Sequence, residues 1–352
     1  MSAISSRELE NERLGNSGAG TRELGLFSIP VTLIPDFPIS LITVQGQTTS
    51  CMKILVTGSS GTIGTHLCAR LLELKQDVVG ADWEPNKWQP TVEKLTVRLD
   101  LRHEEELKKL PTDFDCVIHL AANARVYELV EHPDRARDNI MSTFNTLEWA
   151  RKNGIKRFVF ASSRETYGNS GAAQYTEDMV RVENCESPYT ASKIAGEALV
   201  ESYRRCYGME TVIVRFSNVY GMYDDSERVV PLFIRQTKKN EPLVVFGKDK
   251  SLDFTYIDDA VDGLLLILKN FAKANGQTIN LAFGEAHPIM ELAELIKKLM
   301  GSTSAITAKD SRTGEVTRYT ADISKARTIL GFDPKVPFAE GVKKSVEWYG
   351  RE

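Results

Sequence analysis

The stretch KILVTGSSGTIGTHLCARLLELKQDVVGAD, residues 53–82, decides the fold. Lys53–Thr57 is short, apolar and rich in β-branched residues, as a buried strand requires. Gly58, Gly61 and Gly64 follow. A helix begins there, with Ile63, Leu67, Leu71 and Leu74 on one side at helical spacing. Val78–Ala81 reads as the next strand and ends at Asp82. Each glycine has a separate reason. Gly58 permits a tight turn, Gly61 lets the backbone approach a pyrophosphate, and Gly64 lets the helix pack on the strand. The helix N-terminus offers free N–H groups and the positive end of a dipole to phosphates. Asp82 lies eighteen residues beyond Gly64, where a carboxylate accepts from both ribose hydroxyls and repels a 2′-phosphate. No arginine stands in that turn, so NAD is favoured over NADP.

The alternation continues outward. Residues 95–101 and 116–122 read as strands, 132–153 as a helix, 157–162 as a strand, 188–207 as a helix and 211–216 as a strand. Repeated βα units with apolar strands predict a Rossmann-type α/β fold, a doubly wound parallel sheet covered on both faces, with a smaller C-terminal lobe. Its ligand belongs at the carboxyl ends of the strands.

Composition excludes several classes. The 352 residues are 42% hydrophobic and 26% charged, ordinary for a globular protein and unlike a disordered tail or a rod. The formal net charge of −4 gives no general attraction to nucleic acid or anionic membranes. Five cysteines without metal-ligand or CxxC spacing predict reduced thiols in a cytoplasmic protein, and five histidines without an HExxH cluster predict no catalytic metal. Residues 1–51 differ from the rest. The apolar run 24–44 is broken by Pro30, Pro35, Asp36 and Pro38, so it predicts no membrane span and no signal peptide. Working protein is expected to begin near Met52, with 1–51 a disordered or artefactual extension.

The chemistry centres on YTASK, residues 189–193, at the start of the helix opened by Pro188. Tyr189 and Lys193 are four apart and share a helical face. An ammonium beside a phenol lowers the tyrosine pKa and makes it a general base near neutrality. Ser163 ends a strand at the same sheet edge, placed to hydrogen-bond a substrate hydroxyl.

These features resemble the extended short-chain dehydrogenase/reductase family, the NAD-dependent nucleotide-sugar epimerases and dehydratases. The likeness covers about 52–349. It rests on TGSSGTIG (57–64), Asp100 in RLDLR, HLAA (119–122), SSRETYG (162–168), PYTASKIAGE (188–197), RFSNVYG (215–221) and ADISKARTILGF (321–332). The resemblance implies that Gly58, Gly61, Thr62, Ile63 and Gly64 hold the NAD pyrophosphate and Asp82 its adenosine ribose. Asp100 and Leu101 border the adenine, and Ala121 and Ala122 line the groove. Ser163, Tyr189 and Lys193 form the catalytic set, with Lys193 also on the nicotinamide ribose. Asn218 contacts the sugar-nucleotide phosphate, residues 230–233 and 243–246 enclose the base, and Arg312 binds the diphosphate. One departure stands out: the arginine the family usually places in the stretch KDKSLDFTYIDD (248–259) is Leu252 here, so a diphosphate contact is missing or comes from Arg228, Lys250 or Arg312. Asp258 and Asp259 are read as acids starting a helix. The domains implied are 52–218 with 250–282 for NAD, and 219–249 with 283–352 for substrate. The helices at 132–153 and 188–207 carry surplus apolar residues, and in the family such a pair builds a homodimer.

The reaction implied is 4-epimerisation of a UDP-hexose through a transient 4-keto sugar, needing only Ser163, Tyr189 and Lys193. Glu165 keeps alternatives open. A carboxylate near C5 suits a nucleotide-sugar 4,6-dehydratase or a UDP-glucuronate decarboxylase. Yet Arg164 stands where one dehydratase pattern has a proton-donating Asp, and Glu165 has the plainer reading of an ion pair with Arg164 or a loop hydrogen bond. A non-catalytic NAD-binding protein is the remaining alternative, disfavoured by the intact Tyr/Lys pair and the acidic charge.

Overall fold

A computed structural model of the chain describes residues 51–351, so the expectation for 1–51 falls outside them except at Cys51. In chain order come β1 (Lys53–Thr57), α1 (Thr62–Glu73), β2 (Asp77–Asp82), α2 (Pro90–Leu95), β3 (Thr96–Arg98), β4 (Cys116–His119), α3 (Val126–Glu131), α4 (Asp134–Lys152), β5 (Arg157–Ser163), α5 (Pro188–Tyr207) and β6 (Glu210–Phe216). Then follow β7 (Asn218–Tyr220), α6 (Val229–Lys238), β8 (Leu243–Phe246), β9 (Ser251–Tyr256), α7 (Ile257–Lys269), α8 (Phe271–Ala274), β10 (Gln277–Leu281), β11 (Ala286–Pro288), α9 (Ile289–Leu299), β12 (Ile306–Lys309), β13 (Arg318–Tyr319), α10 (Ser324–Leu330) and α11 (Phe338–Arg351).

Seven strands form one parallel sheet in the order β10-β6-β5-β4-β1-β2-β3. Its central strands are buried on both faces, which is why they read as unbroken apolar runs. Alternation divides them. Ile54 and Val56 pack with Leu67 and Leu71 of α1 and Val261 and Leu264 of α7. Leu55 turns the other way, into a cluster with Leu147 of α4 and Val200 of α5. The strand order reverses at β1, where a ligand crevice belongs. A smaller group has β9 paired with β7, β11 and β13, and β8 paired with β12. It closes over Phe233, Phe254, Tyr256, Leu292 and Val342.

Several boundaries differ from the sequence reading. The helix expected over 132–153 begins at Asp134 and is preceded by a separate α3, because Pro133 has no N–H and pushes His132 away from helical backbone. The strand expected over 95–101 narrows to β3, since α2, with Pro90 in its first turn, runs up to Leu95. β4 stops at His119, leaving residues 120–122 at the sheet edge. Leu74 is not on the buried face of α1: as the helix C-cap it is 52% exposed.

Candidate active site

A cavity of about 960 Å3 opens at the carboxyl ends of β1, β2, β4, β5 and β6. Gly58, Gly61, Thr62, Ile63, Gly64, Asp82, Asp100, Leu101, Ala121 and Ala122 all line it, so the structure brings the residues expected to hold the dinucleotide into one wall. Gly58 has φ +72°, and a Cβ there would stand 2.8 Å from Ala121 N. At Gly64 a Cβ would meet the Gly58 carbonyl oxygen at 2.0 Å, so no side chain fits where α1 crosses the turn. Asp82 accepts from Ser60 N and Glu84 N, both at 2.9 Å, while burial pushes its carboxyl above the usual range. Asp100 is held by Arg102 at 2.6 Å, whose side-chain hydrogen bond holds the carboxyl low. The Arg102 guanidinium lies 4.7 Å from the Trp83 ring centre, and both line the cavity. Sequence reasoning missed this pair, although Trp83 directly follows Asp82 and Arg102 closes the RLDLR motif. These residues fit an extended dinucleotide: a tight turn with no room for a Cβ at Gly58 or Gly64, a helix N-terminus, and a carboxylate beyond it.

Ser163, Tyr189 and Lys193 converge on the same cavity. Ser187 caps α5, its hydroxyl accepting from Thr190 N, and Pro188 sits in the first turn, so Tyr189 and Lys193 are set by a well-defined helix start. Tyr189 is 6% exposed, and the Ser163 side chain is the main influence that favours its phenolate. Lys193 Nζ donates to the Ala161 carbonyl at 2.8 Å and lies 5.9 Å from the Tyr189 ring centre. Burial brings Lys193 down to about 8, against a raising influence of Glu197. The expectation that the ammonium acidifies Tyr189 is corrected here. Burial of the phenol dominates and holds it above its ordinary value; the Ser163 hydrogen bond is the largest opposing influence, with Lys193 turned to a backbone carbonyl.

Glu165 also lines the cavity and is 4% exposed. Its Oε1 is 2.7 Å from Arg164 Nη2, and its Oε2 accepts from Val316 N at 3.3 Å. Both plainer readings of Glu165 therefore hold together. Burial pushes its carboxyl up, opposed mainly by Arg164. Asn218 lines the cavity, but its side-chain amide is committed, donating to the Asp253 carbonyl at 3.0 Å and accepting from Arg164 at 3.2 Å.

At the other end, residues 230–233, Val244 and Phe246 line the cavity. Leu243 and Val245 do not: strand alternation turns them into the core, correcting the expectation that all of 243–246 face the ligand. Arg312 lies 4.0 Å from the Phe246 ring centre and 4.9 Å from that of Tyr127. Arg228 stands 3.7 Å from Asp224, and Lys250 2.7 Å from Glu315. Leu252 is buried in the cavity wall. Asp258 and Asp259 do start α7; Asp258 pairs with His66 at 2.9 Å and Asp259 accepts from Lys335 N and Val336 N.

Such a groove beside a Ser/Tyr/Lys cluster defines a dinucleotide-dependent enzyme of the α/β class. Residues 54–282 match the model of the NAD dependent epimerase/dehydratase family, and the chain belongs to that family. It is an NAD-dependent enzyme. A protein of Methanocaldococcus jannaschii, provisionally named a UDP-glucose 4-epimerase, is 35% identical over 306 residues, covering 84% of this chain and 97% of that protein. The UDP-glucuronate 4-epimerase of Thermodesulfobacterium geofontis is 31% identical over 312 residues, covering 84% and 95%. The crystal structure of UDP-glucose 4-epimerase from Thermotoga maritima with UDP-glucose superposes with a TM-score of 0.78 at 30% identity, covering 85% of this chain and 99% of that one.

Proposed function

We propose that this chain is a nucleotide-sugar 4-epimerase acting on UDP-hexoses through a transient 4-keto sugar. The observation that carries the reading is the convergence of Ser163, Tyr189 and Lys193 on the cavity whose other wall is the glycine cradle. Gly58, Gly61, Thr62, Ile63, Gly64, Asp82, Asp100, Leu101, Ala121 and Ala122 are the residues assigned to NAD, which when bound supplies a hydride acceptor and then a donor. Tyr189 removes the proton of the sugar hydroxyl at its Oη and returns it after the sugar has turned. Ser163, the main influence lowering the phenol's pKa, stabilises the phenolate and polarises the developing carbonyl. Lys193 is fixed by Ala161 and holds a positive charge at the site below about pH 8. Asn218, Arg228 and Arg312 are assigned to the substrate.

Glu165 favours a second reading, 4,6-dehydration or UDP-glucuronate decarboxylation, because it is a buried carboxyl on the cavity wall. Its ties to Arg164 and Val316 give it a structural role that epimerisation leaves undisturbed. Incubation with UDP-glucose, UDP-glucuronate, UDP-N-acetylglucosamine and dTDP-glucose, followed by proton NMR, tests the choice. A product epimeric at C4 is expected. A 4-keto-6-deoxy sugar, or a pentose with carbon dioxide, transfers the assignment to the second reading.

The same proposal takes 52–218 with 250–282 as the NAD-binding domain and 219–249 with 283–352 as the substrate lobe. It also takes the protein as a cytoplasmic homodimer. Met141 and Phe144 of α4, 39% and 40% exposed, support a covered helical face. A monomeric mass by light scattering at micromolar concentration would count against the dimer, and recovery in a membrane or extracellular fraction against the location. Among the described residues no helix is long and apolar enough to cross a membrane.

A further inference from the structure

The substrate end of the cavity holds a cation that no step above uses. Arg164 lines the cavity yet is only 7% exposed. Its Nη2 reaches Glu165 Oε1 at 2.7 Å and Asn218 Oδ1 at 3.2 Å. Its Nη1 is buried without a hydrogen-bond partner among the described residues. The guanidinium carbon lies 5.8 Å from the ring centre of Tyr319, and Tyr319 stands in register with Leu252 across β13 and β9. Arg164 is thus packed against the partner of the very residue that puts an alkyl group on the cavity wall.

The neighbouring cations are differently placed. Lys250 is 2.7 Å from Glu315, with its side chain 10% exposed. Arg228 is more open and stands beside Asp224. Arg312 lies flat on Phe246. A buried guanidinium with unused donors is unfavourable until an acceptor reaches it, and its planar fork suits phosphate or carboxylate oxygens. Glu165 meets it through Nη2 alone, which leaves Nη1 without an acceptor.

We propose that Arg164 binds an anionic oxygen of the substrate, namely the diphosphate, replacing the cation that Leu252 does not provide. This rests on the nucleotide-sugar reading above. Arg164 then acts as a binding residue, and Asn218 Oδ1, accepting from its Nη2, helps hold the guanidinium in place.

The test measures binding of UMP, UDP, UDP-glucose and UDP-glucuronate to NAD-loaded protein by calorimetry. Arg164→Gln and Arg164→Lys both keep the bulk of the stem, and retained NAD with an unchanged circular dichroism spectrum shows that each folds. Arg164→Gln is expected to weaken UDP and both UDP-sugars by about tenfold or more and UMP by less than about threefold. Arg164→Lys, which keeps the charge, is expected to fall between Gln and wild type. Adding Leu252→Arg to Arg164→Gln is expected to recover UDP affinity. Loss confined to UDP-glucuronate would show that the guanidinium meets a sugar carboxylate, and would overturn the diphosphate assignment. Unchanged binding of all four ligands overturns the proposal and leaves Arg164 as a support for Glu165. Wild-type protein that binds no uridine nucleotide defeats the UDP-sugar reading itself, and this inference with it.

Discussion

Two glycines of the same turn should fail in different ways. At Gly64 the backbone is ordinary for any residue, but a Cβ would stand 2.0 Å from the Gly58 carbonyl oxygen and 2.8 Å from Ser59 Cα. Both neighbours are backbone, so neither can swing aside. Overpacking of this kind costs about 1–3 kcal/mol, more where the obstacle is rigid, and Gly64→Ala belongs at the top of that range. At Gly61 the residue caps α1 with φ −75° and ψ 171°, which alanine adopts freely. Its Cβ would meet only the Gly58 carbonyl oxygen, at 3.4 Å. Losing a glycine N-cap costs roughly 0.5–1 kcal/mol, and the reduced entropy of the unfolded chain returns about 0.4–1 kcal/mol. The net effect of Gly61→Ala on stability is therefore close to zero. Its methyl would nevertheless project at the cavity wall, where the pyrophosphate must approach the backbone. Urea unfolding of NAD-free protein and calorimetric titration with NAD separate the two. Gly64→Ala should lose stability; Gly61→Ala should keep it and bind NAD at least about tenfold more weakly, or about 1.4 kcal/mol. Equal destabilisation by the two, or native NAD affinity in Gly61→Ala, would refute the assignment of steric and binding roles.

Two further outcomes concern the site and a third the buried core. Tyr189→Phe should lower kcat by about 10²–10⁴ while NAD stays bound, and full turnover in this variant would defeat the mechanism. Glu165→Gln should preserve epimerisation, whereas chemistry at C5 should fail; NMR exchange at C5 in deuterated water distinguishes them. His119 is buried between Thr57 and Thr143, and burial brings it down to about 3. The folded protein therefore keeps it neutral while the unfolded chain protonates below its ordinary 6.5, so stability present above pH 6.5 is lost as pH falls toward 3. The limit of that loss is about 5 kcal/mol. His119→Gln should flatten this part of the urea-stability profile, and an unchanged slope would show that the acid loss arises elsewhere.

The glycine turn, the parallel sheet and the convergence of Ser163, Tyr189 and Lys193 were legible because each depends on local spacing. A strand–glycine–helix unit has few alternative folds, and residues four apart on a helix must share a face. What local spacing does not carry is the direction of a long side chain. Lys193 turns to the Ala161 carbonyl, and the Tyr189 phenol is dominated by burial, because both depend on how β5 packs on α5. Leu243 and Val245 face the core for the same reason: alternation is visible in the sequence, but which face meets the ligand is not.

By itself the sequence determined the fold class, the glycine turn and the side chains that meet at the cavity, since covalent order and period constrain them directly. Only the tertiary structure decided which charges become partners. Arg164 and Glu165 are neighbours in the chain, but residues far away in sequence fix their environment: Asn218 and Tyr319 around the guanidinium, Val316 on the carboxylate. Burial and electrostatics depend on everything packed around a group, so they become defined only when distant segments meet.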